Sequence, residues 1–145
     1  MLRCGNVEGG MRDWTDRLNA PGEAIVRPST RSVVDIVAGQ AMLLPTARQV
    51  DALMRDIPAG QSLDVRTFRR QLAARHGAEV TCPVWVGYHL RTVAEAAYES
   101  LQRGQTLNEI TPFWRVLDAK TPTTPRLACG AGFVAERRAA EGLAP

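Results

Sequence analysis

Three amphipathic helical patterns in the middle of the chain constrain its fold more than any other feature. The first begins at Thr46, where Gln49 three residues later completes a capping box, in which each side chain satisfies a free backbone N–H of the first turn. Apolar residues then recur at i, i+3, i+4 and i+7, the spacing of a helix face that packs into a core. These residues are Val50, Leu53, Met54 and Ile57. Because Pro58-Ala59-Gly60 follows, the predicted helix ends there.

Two further helices follow, and each has one apolar face. Asp64 is a typical N-cap residue for the second helix, which Gly77 ends. Its apolar face carries Val65, Phe68 and Leu72, and its other face carries Arg66, Arg69, Arg70 and Arg75. The third helix begins near Pro83, because proline is tolerated in a first turn, and it ends near Gly104. The short link 77–81 between these helices predicts a helix-turn-helix unit.

The N-terminal part of the chain is predicted as an extension of this unit. The extension covers residues 1–41. Residues 1 to about 31 show little periodicity, and Trp14–Leu18 is interpreted as a short helical turn within them. The β-branched run Ser32–Val37 predicts a short strand, to which Met42–Leu44 could pair back as a second strand.

The C-terminal third is predicted to flank the helix-turn-helix unit. Phe113–Leu117 is predicted as a strand, and with the proline-rich loop Thr121–Pro125 it would form a wing beside the helices. Gly132–Glu141 predicts a last short helix. The predicted fold class is therefore mainly α with short β-strands, a winged helix-turn-helix over residues 42–142.

Composition narrows the class of protein only loosely. A chain of 145 residues has room for one domain, and no run approaches the ~18 apolar residues of a membrane span, so we expect a cytoplasmic protein without membrane contact. Three cysteines without metal-ligand spacing indicate free thiols. The net charge is +3, and Lys120 is the only lysine among 18 basic residues. This arginine bias fits either selection for phosphate contacts or the codon usage of a GC-rich genome.

The segment Ile110-Thr111-Pro112-Phe113-Trp114-Arg115-Val116-Leu117 carries the most specific motif. It resembles the active-site strand of the alkylguanine-DNA alkyltransferases, whose motif is Ile-Pro-Cys-His-Arg-Val. Phe113 stands at the position of the acceptor cysteine, and Trp114 at that of the activating histidine. The resemblance covers about Met42 to Gly142, and it points to the alkyltransferase-like proteins, which lack the cysteine and bind alkylated DNA without repairing it.

The substitution of both reactive residues has a chemical consequence. Alkyl transfer to cysteine requires a thiolate, which a neighbouring base or positive charge generates. Neither Phe113 nor Trp114 can supply a nucleophile or a base near neutral pH. The resemblance therefore implies a DNA-damage-binding protein rather than a methyltransferase, with double-stranded DNA, alkylated or distorted, as its partner. Other repair proteins are a further implied partner, and a DNA-bound protein would be associated with the bacterial nucleoid.

The resemblance also implies a way of binding by nucleotide flipping. In the family a recognition helix enters the minor groove, and an arginine in an Arg-Ala-Val-Gly sequence fills the space of the extruded base. Arg91-Thr92-Val93-Ala94 matches this sequence, so Arg91 is the candidate finger. The alternative is a solvated arginine paired with Glu95 at i+4.

Two more groups of residues complete the predicted site. The arginines of the second helix are expected to hold DNA phosphates; they are Arg66, Arg69 and Arg70. Phe113, Trp114 and Arg115 are expected at the lesion pocket, where the rings either stack on a flipped base or fill the old pocket as core. Phe68 replaces the tyrosine of the family's helix-turn-helix and is interpreted as a core residue. Two lone histidines and the absence of a glycine-rich phosphate loop predict neither a metal site nor a cofactor.

Three alternative functions stay open from the sequence. The chain could be a true alkyl acceptor that uses a displaced cysteine, Cys82 or Cys129. It could be a protein-interaction module on the same scaffold. It could also be a winged-helix regulator that recognises sequence in the major groove, although base-specific Asn and Gln are scarce on the third helix, which holds only Gln102.

Overall fold

The computed structural model describes residues 13–145, which form five helices and a three-stranded sheet. In chain order the elements are α1 (Trp14–Leu18), β1 (Ile25–Pro28), β2 (Ala41–Leu44), α2 (Ala47–Arg55), α3 (Val65–Arg75), β3 (Val80–Thr81), α4 (Pro83–Gln102) and α5 (Gly130–Ala140). Two short 3-10 turns, Phe113–Arg115 and Thr124–Arg126, lie between α4 and α5. The fold is thus mixed α/β and mainly helical. None of the described helices is both long and apolar enough to cross a membrane.

The sheet has the order β1-β2-β3. β1 pairs antiparallel with β2, with Ile25 opposite Leu44, and β2 pairs parallel with β3. The prediction of a strand at Met42–Leu44 is confirmed, but the predicted strand at Ser32–Val37 is wrong. That segment is a turn with one isolated bridge, because Val34 has a φ of +54°, outside the extended region that a strand requires.

The three predicted central helices are confirmed, together with the N-terminal caps predicted for the first two. The Thr46 hydroxyl accepts a hydrogen bond from the Gln49 backbone at 3.2 Å, and the Gln49 side chain accepts one from the Thr46 backbone at 3.1 Å. Asp64 accepts a hydrogen bond from the Thr67 backbone at 2.7 Å and so caps α3. α4 begins at Pro83, as its fixed φ favours.

The core forms between α4 and the elements packed around it. α4 contacts α1, α2 and the turn at Phe113–Arg115, while α3 packs against β3. The largest fully buried side chains include those of Phe68, Met54, Leu72, Leu90 and Leu117. The interpretation of Phe68 as a core residue is confirmed.

The predicted strand at Phe113–Leu117 is wrong, because the chain forms a 3-10 turn at Phe113–Arg115. Successive residues of a strand point to opposite faces, whereas a turn can direct two adjacent rings into one core. Phe113 and Trp114 are both buried, and their rings meet edge to face at 5.3 Å. The predicted short helix at Gly132–Glu141 is confirmed, although it begins two residues earlier at Gly130.

The cap of α2 provides a test of this local structure. Thr46→Ala removes the hydroxyl that accepts from Gln49, so we expect the free energy of unfolding to fall by about 1 kcal/mol. Thr46→Ser keeps a hydroxyl and should retain most of that stability. Urea unfolding followed by circular dichroism measures both, and equal stabilities for the two variants would contradict the assigned cap.

Candidate nucleic-acid interface

The arginines of α3 lie in different environments. Arg69 is buried, with 7% of its side chain exposed, and it pairs with Asp35 at 2.7 Å and donates to the Thr81 carbonyl at 3.2 Å. The Arg69 guanidinium therefore connects α3 to the loop between β1 and β2 and to β3, and it is not accessible to a ligand. The hydrogen bond from Arg69 also lowers the pKa of the Asp35 carboxyl.

The two other predicted arginines of α3 are exposed. Arg66 lies 3.5 Å from the Asp35 carboxylate, which partly neutralises its charge. Arg70 is exposed, and no ion pair involves it within residues 13–145. The exposed face of α3 thus carries two arginines that remain candidates for phosphate contacts.

Arg91 lies on α4 with 39% of its side chain exposed and contacts three groups. Its Nε is 3.4 Å from the Glu95 carboxylate, which forms the i+4 pair that the spacing allows. Its Nη2 donates to the Arg126 carbonyl at 3.4 Å, and its Cζ lies 5.2 Å from the Trp14 ring centroid. The guanidinium is therefore held at the edge of α4 beside the chain at residues 122–126.

An open groove of about 420 Å³ lies next to Arg91, between α1, the first turns of α4 and the chain at residues 122–126. Its wall contains three arginines, Arg17, Arg91 and Arg126, and two aromatic rings, Trp14 and Tyr88. Within residues 13–145, every side chain that lines it is neutral or basic. We call this feature the α4 groove.

Trp14 is held in the α4 groove by the docking of α1 on α4. The backbone N–H groups of Trp14 and Thr15 donate to the two oxygens of Glu99 at 3.2 and 3.1 Å. Asp13 pairs with Arg103 at 2.8 Å, and this contact lowers the pKa of Asp13. Because Glu99 satisfies the free donors of the first turn of α1, this five-residue helix has a defined position.

An exposed apolar surface continues from the α4 groove along the first turns of α4. Val84, Trp85 and Tyr88 are exposed there, and the Tyr88 side chain is the most accessible aromatic ring among them at 71%. His89 lies behind this surface, and burial lowers the pKa of its imidazole, so it is neutral at pH 7. The positive charge of this region therefore comes from the arginines alone.

The residues expected at a lesion pocket are mostly part of the core. Phe113 is fully buried and stacks on Phe133 with 6.0 Å between ring centroids, and it lines neither of the two cavities found in the described part of the chain. Trp114 and Arg115 border a smaller cavity of about 180 Å³, together with Arg137 and Glu141. Phe113 is thus a core residue, whereas Trp114 is buried and also borders this smaller cavity.

Arg115 and Trp114 are bound by Glu141, which follows α5. The Arg115 guanidinium donates two hydrogen bonds of 2.9 Å to this carboxylate, and the Trp114 indole donates one of 2.8 Å. The Gly60 backbone adds a fourth at 3.1 Å. Burial raises the pKa of Glu141, but the hydrogen bonds from Arg115, Trp114 and Gly60 outweigh it and lower the pKa to about 2.

The described cysteines differ in their environments. Burial, reinforced by the nearby Glu95 carboxylate, raises the pKa of the Cys129 thiol to about 11, so Cys129 is almost entirely protonated at pH 7. Cys82 is half-buried at the N-cap of α4, and its side chain makes no capping hydrogen bond. Among residues 13–145, no group of three His, Cys, Asp or Glu side chains is arranged to hold a metal ion.

Of the residues that line the α4 groove, only Arg91 was predicted from the sequence as a site residue. Arg17 and Arg126 belong to segments without a motif, and only the fold brings them to Arg91. The sequence signal nearest to the groove was the short helical turn predicted at Trp14–Leu18, which contains Trp14 and Arg17. Comparisons with protein-family models, with characterised proteins and with solved structures found no match to this chain.

The low pKa of Glu141 predicts a specific acid sensitivity. Since the folded-state pKa of about 2 lies below the ordinary value of 4.5, the ionised carboxylate stabilises the fold above pH 4.5, and this contribution is lost as the pH falls towards 2. We expect the loss to be about 3 kcal/mol. Glu141→Gln should be less stable at pH 7 and should lose less stability on acidification.

Chemical denaturation at several pH values measures this difference. Glu136→Gln, an exposed position on α5, is the matched control and should follow the wild-type profile. A Glu141→Gln profile parallel to the wild-type one between pH 5 and pH 2 would show that this carboxylate does not carry the acid sensitivity.

Proposed function

We propose that this protein binds double-stranded DNA without catalysis, in the manner of the alkyltransferase-like proteins that its sequence resembles. The observation that carries the proposal is the α4 groove, where three arginines surround an open space and no described lining residue is acidic. Guanidinium groups offer forked donors that match phosphate oxygens. Phosphodiesters are the natural ligands of such a surface, because each carries one negative charge.

The arrangement of the helices is compatible with the winged helix-turn-helix that the sequence predicts. α3 and α4 are consecutive and are joined by a short link that contains β3. In this proposal α4 is the recognition helix, and the chain between Phe113 and Arg126 takes the place of the wing. Arg91 then lies on α4 next to this chain, where its guanidinium would contact a DNA phosphate.

Phosphate contacts would come from both sides of this surface. Arg66 and Arg70 are exposed on α3, whereas Arg69 is left out of the proposed contacts because it is buried against Asp35. Contacts of this kind position a protein on DNA but carry no sequence information. Binding is therefore expected to depend on salt and to show little sequence preference, with alkylated or distorted bases as the favoured sites.

The absence of catalysis is supported by the chemistry of the described side chains. Phe113 and Trp114 are core residues, and the high pKa of Cys129 opposes thiolate formation. Its neighbour Glu95 would repel a second negative charge. Binding without transfer is thus the function that this arrangement supports best.

A titration of fluorescent DNA duplexes tests the proposal. With three to five phosphate contacts, the slope of log K against log salt should be about −2.7 to −4.5. Arg91→Ala should weaken binding about tenfold and reduce the size of this slope by about one. Arg55→Ala is the control, because Arg55 lies on α2 and pairs with Asp51 at 3.1 Å outside the α4 groove. Equally weak binding by the wild type and both variants, at every salt concentration, would remove the support for DNA binding.

An intact-mass measurement tests the rival function of an alkyl acceptor. After incubation with a duplex that contains alkylguanine, we expect the mass of the protein to stay unchanged. Iodoacetamide treatment of the denatured protein serves as the control, since it shows that the thiols were reduced and able to react. A mass gain equal to one alkyl group, located on Cys82 or Cys129, would establish transfer and contradict binding without catalysis.

A further inference from the structure

The α4 groove has the combination of groups that a single nucleotide requires, and this combination lies away from Phe113 and Trp114. We infer that the groove receives an unpaired nucleotide of DNA, with its base on Tyr88 and its phosphates on Arg17, Arg91 and Arg126. This inference rests on the proposed function and adds two points to it. It names the α4 groove as the binding site, and it names DNA with an unpaired base, rather than DNA with a particular alkyl group, as the preferred ligand.

The charged wall of the groove favours the phosphates of a nucleotide. Arg17 and Arg126 form no ion pair with an acidic residue in the range 13–145, while Arg91 is balanced by the buried carboxylate of Glu95. Two of the three guanidiniums thus lack a described carboxylate partner. An anionic ligand would complete their charge-assisted hydrogen bonds.

The aromatic wall favours the base. The Trp14 ring is already in contact with two guanidiniums, since the Cζ atoms of Arg17 and Arg91 lie 4.4 and 5.2 Å from its centroid. Tyr88 is different, because the residue is 71% exposed and its aromatic neighbour within the described chain, His89, meets it only edge-on at 6.3 Å. A face of Tyr88 is therefore open for stacking, an interaction that every base can make.

The size and openness of the groove favour an unpaired nucleotide over a chemical lesion. A volume of about 420 Å³ lies within the usual range of ligand pockets, ~300–1,000 Å³. An alkyl group would be distinguished by a closed apolar pocket, whereas the α4 groove is open and Phe113 lines neither this groove nor the smaller cavity beside Trp114. A base that is already unpaired also avoids the cost of extrusion from the stack.

Fluorescence anisotropy with four DNA probes tests this inference on the full chain. The probes are a matched duplex, the same duplex with a one-nucleotide bulge, the same duplex with one alkylguanine, and the single strand. We expect the bulged duplex to bind about tenfold more tightly than the matched one, and the alkylguanine duplex to bind no better than the bulged one. Tyr88→Ala should abolish the preference for the bulge, whereas Tyr88→Phe keeps the ring and should retain it.

Two arginine variants test the role of charge separately from that of the Tyr88 ring. Arg126→Ala should weaken binding of the bulged duplex and of the single strand about tenfold, while Arg55→Ala should change neither. Thermal unfolding of each variant checks that the fold is intact, and since Tyr88 and Arg126 are exposed we expect little change.

The outcomes distinguish the inference from the proposed function. Duplex binding that depends on Arg91 but shows no bulge preference, or a preference that survives Tyr88→Ala, would overturn the inference and leave DNA binding in place. Tighter binding of the alkylguanine duplex than of the bulged one would also overturn it. Binding of the single strand that depends on Tyr88, without binding of any duplex, would support the groove site and overturn the proposed function.

Discussion

The carboxylate of Glu141 is the contact on which the arrangement of the C-terminal half depends. It accepts hydrogen bonds from Trp114, from Arg115 and from the Gly60 backbone, and so it joins three distant parts of the chain. A half-buried carboxylate is stabilising only when its charge is paired and its oxygens are fully bonded. Arg138 on α5 strengthens the same junction, because it donates to the Trp114 carbonyl at 2.7 Å.

This junction explains why the segment that resembles an active-site strand has no open pocket beside Phe113. Glu141 holds Arg115 at the end of the turn, and the turn directs Phe113 and Trp114 into the core. There Phe113 stacks on Phe133, and Trp114 meets Phe133 edge to face. Phe113 and Trp114 therefore stabilise the fold. The arginines and aromatic rings of the α4 groove lie instead on α4 and on the segments that pack beside it.

The difference between local and distant contacts accounts for what the sequence could predict. The cap formed by Thr46 and Gln49 and the apolar stripes of the helices are local, and all three central helices were predicted from them. The burial of Arg69 could not be predicted, because its partner Asp35 is 34 residues away in an irregular loop. The α4 groove also depends on contacts between distant parts of the chain. The docking of α1 brings Arg17 to Arg91, and the turn at Thr124–Arg126 brings Arg126 there. No sequence motif indicates either contact.

The charges around Arg91 also indicate how many phosphates a bound ligand would place in the α4 groove. Three guanidiniums line the α4 groove and one carboxylate, Glu95, pairs with them, which leaves two positive charges among these four groups. Glu95 is itself fixed, because it accepts a hydrogen bond from the Ala128 backbone at 3.1 Å. Each phosphodiester carries a single negative charge, so two successive phosphates are needed to balance the groove. A single phosphodiester would therefore leave the groove with a net positive charge, whereas two adjacent phosphodiesters of one strand would neutralise it.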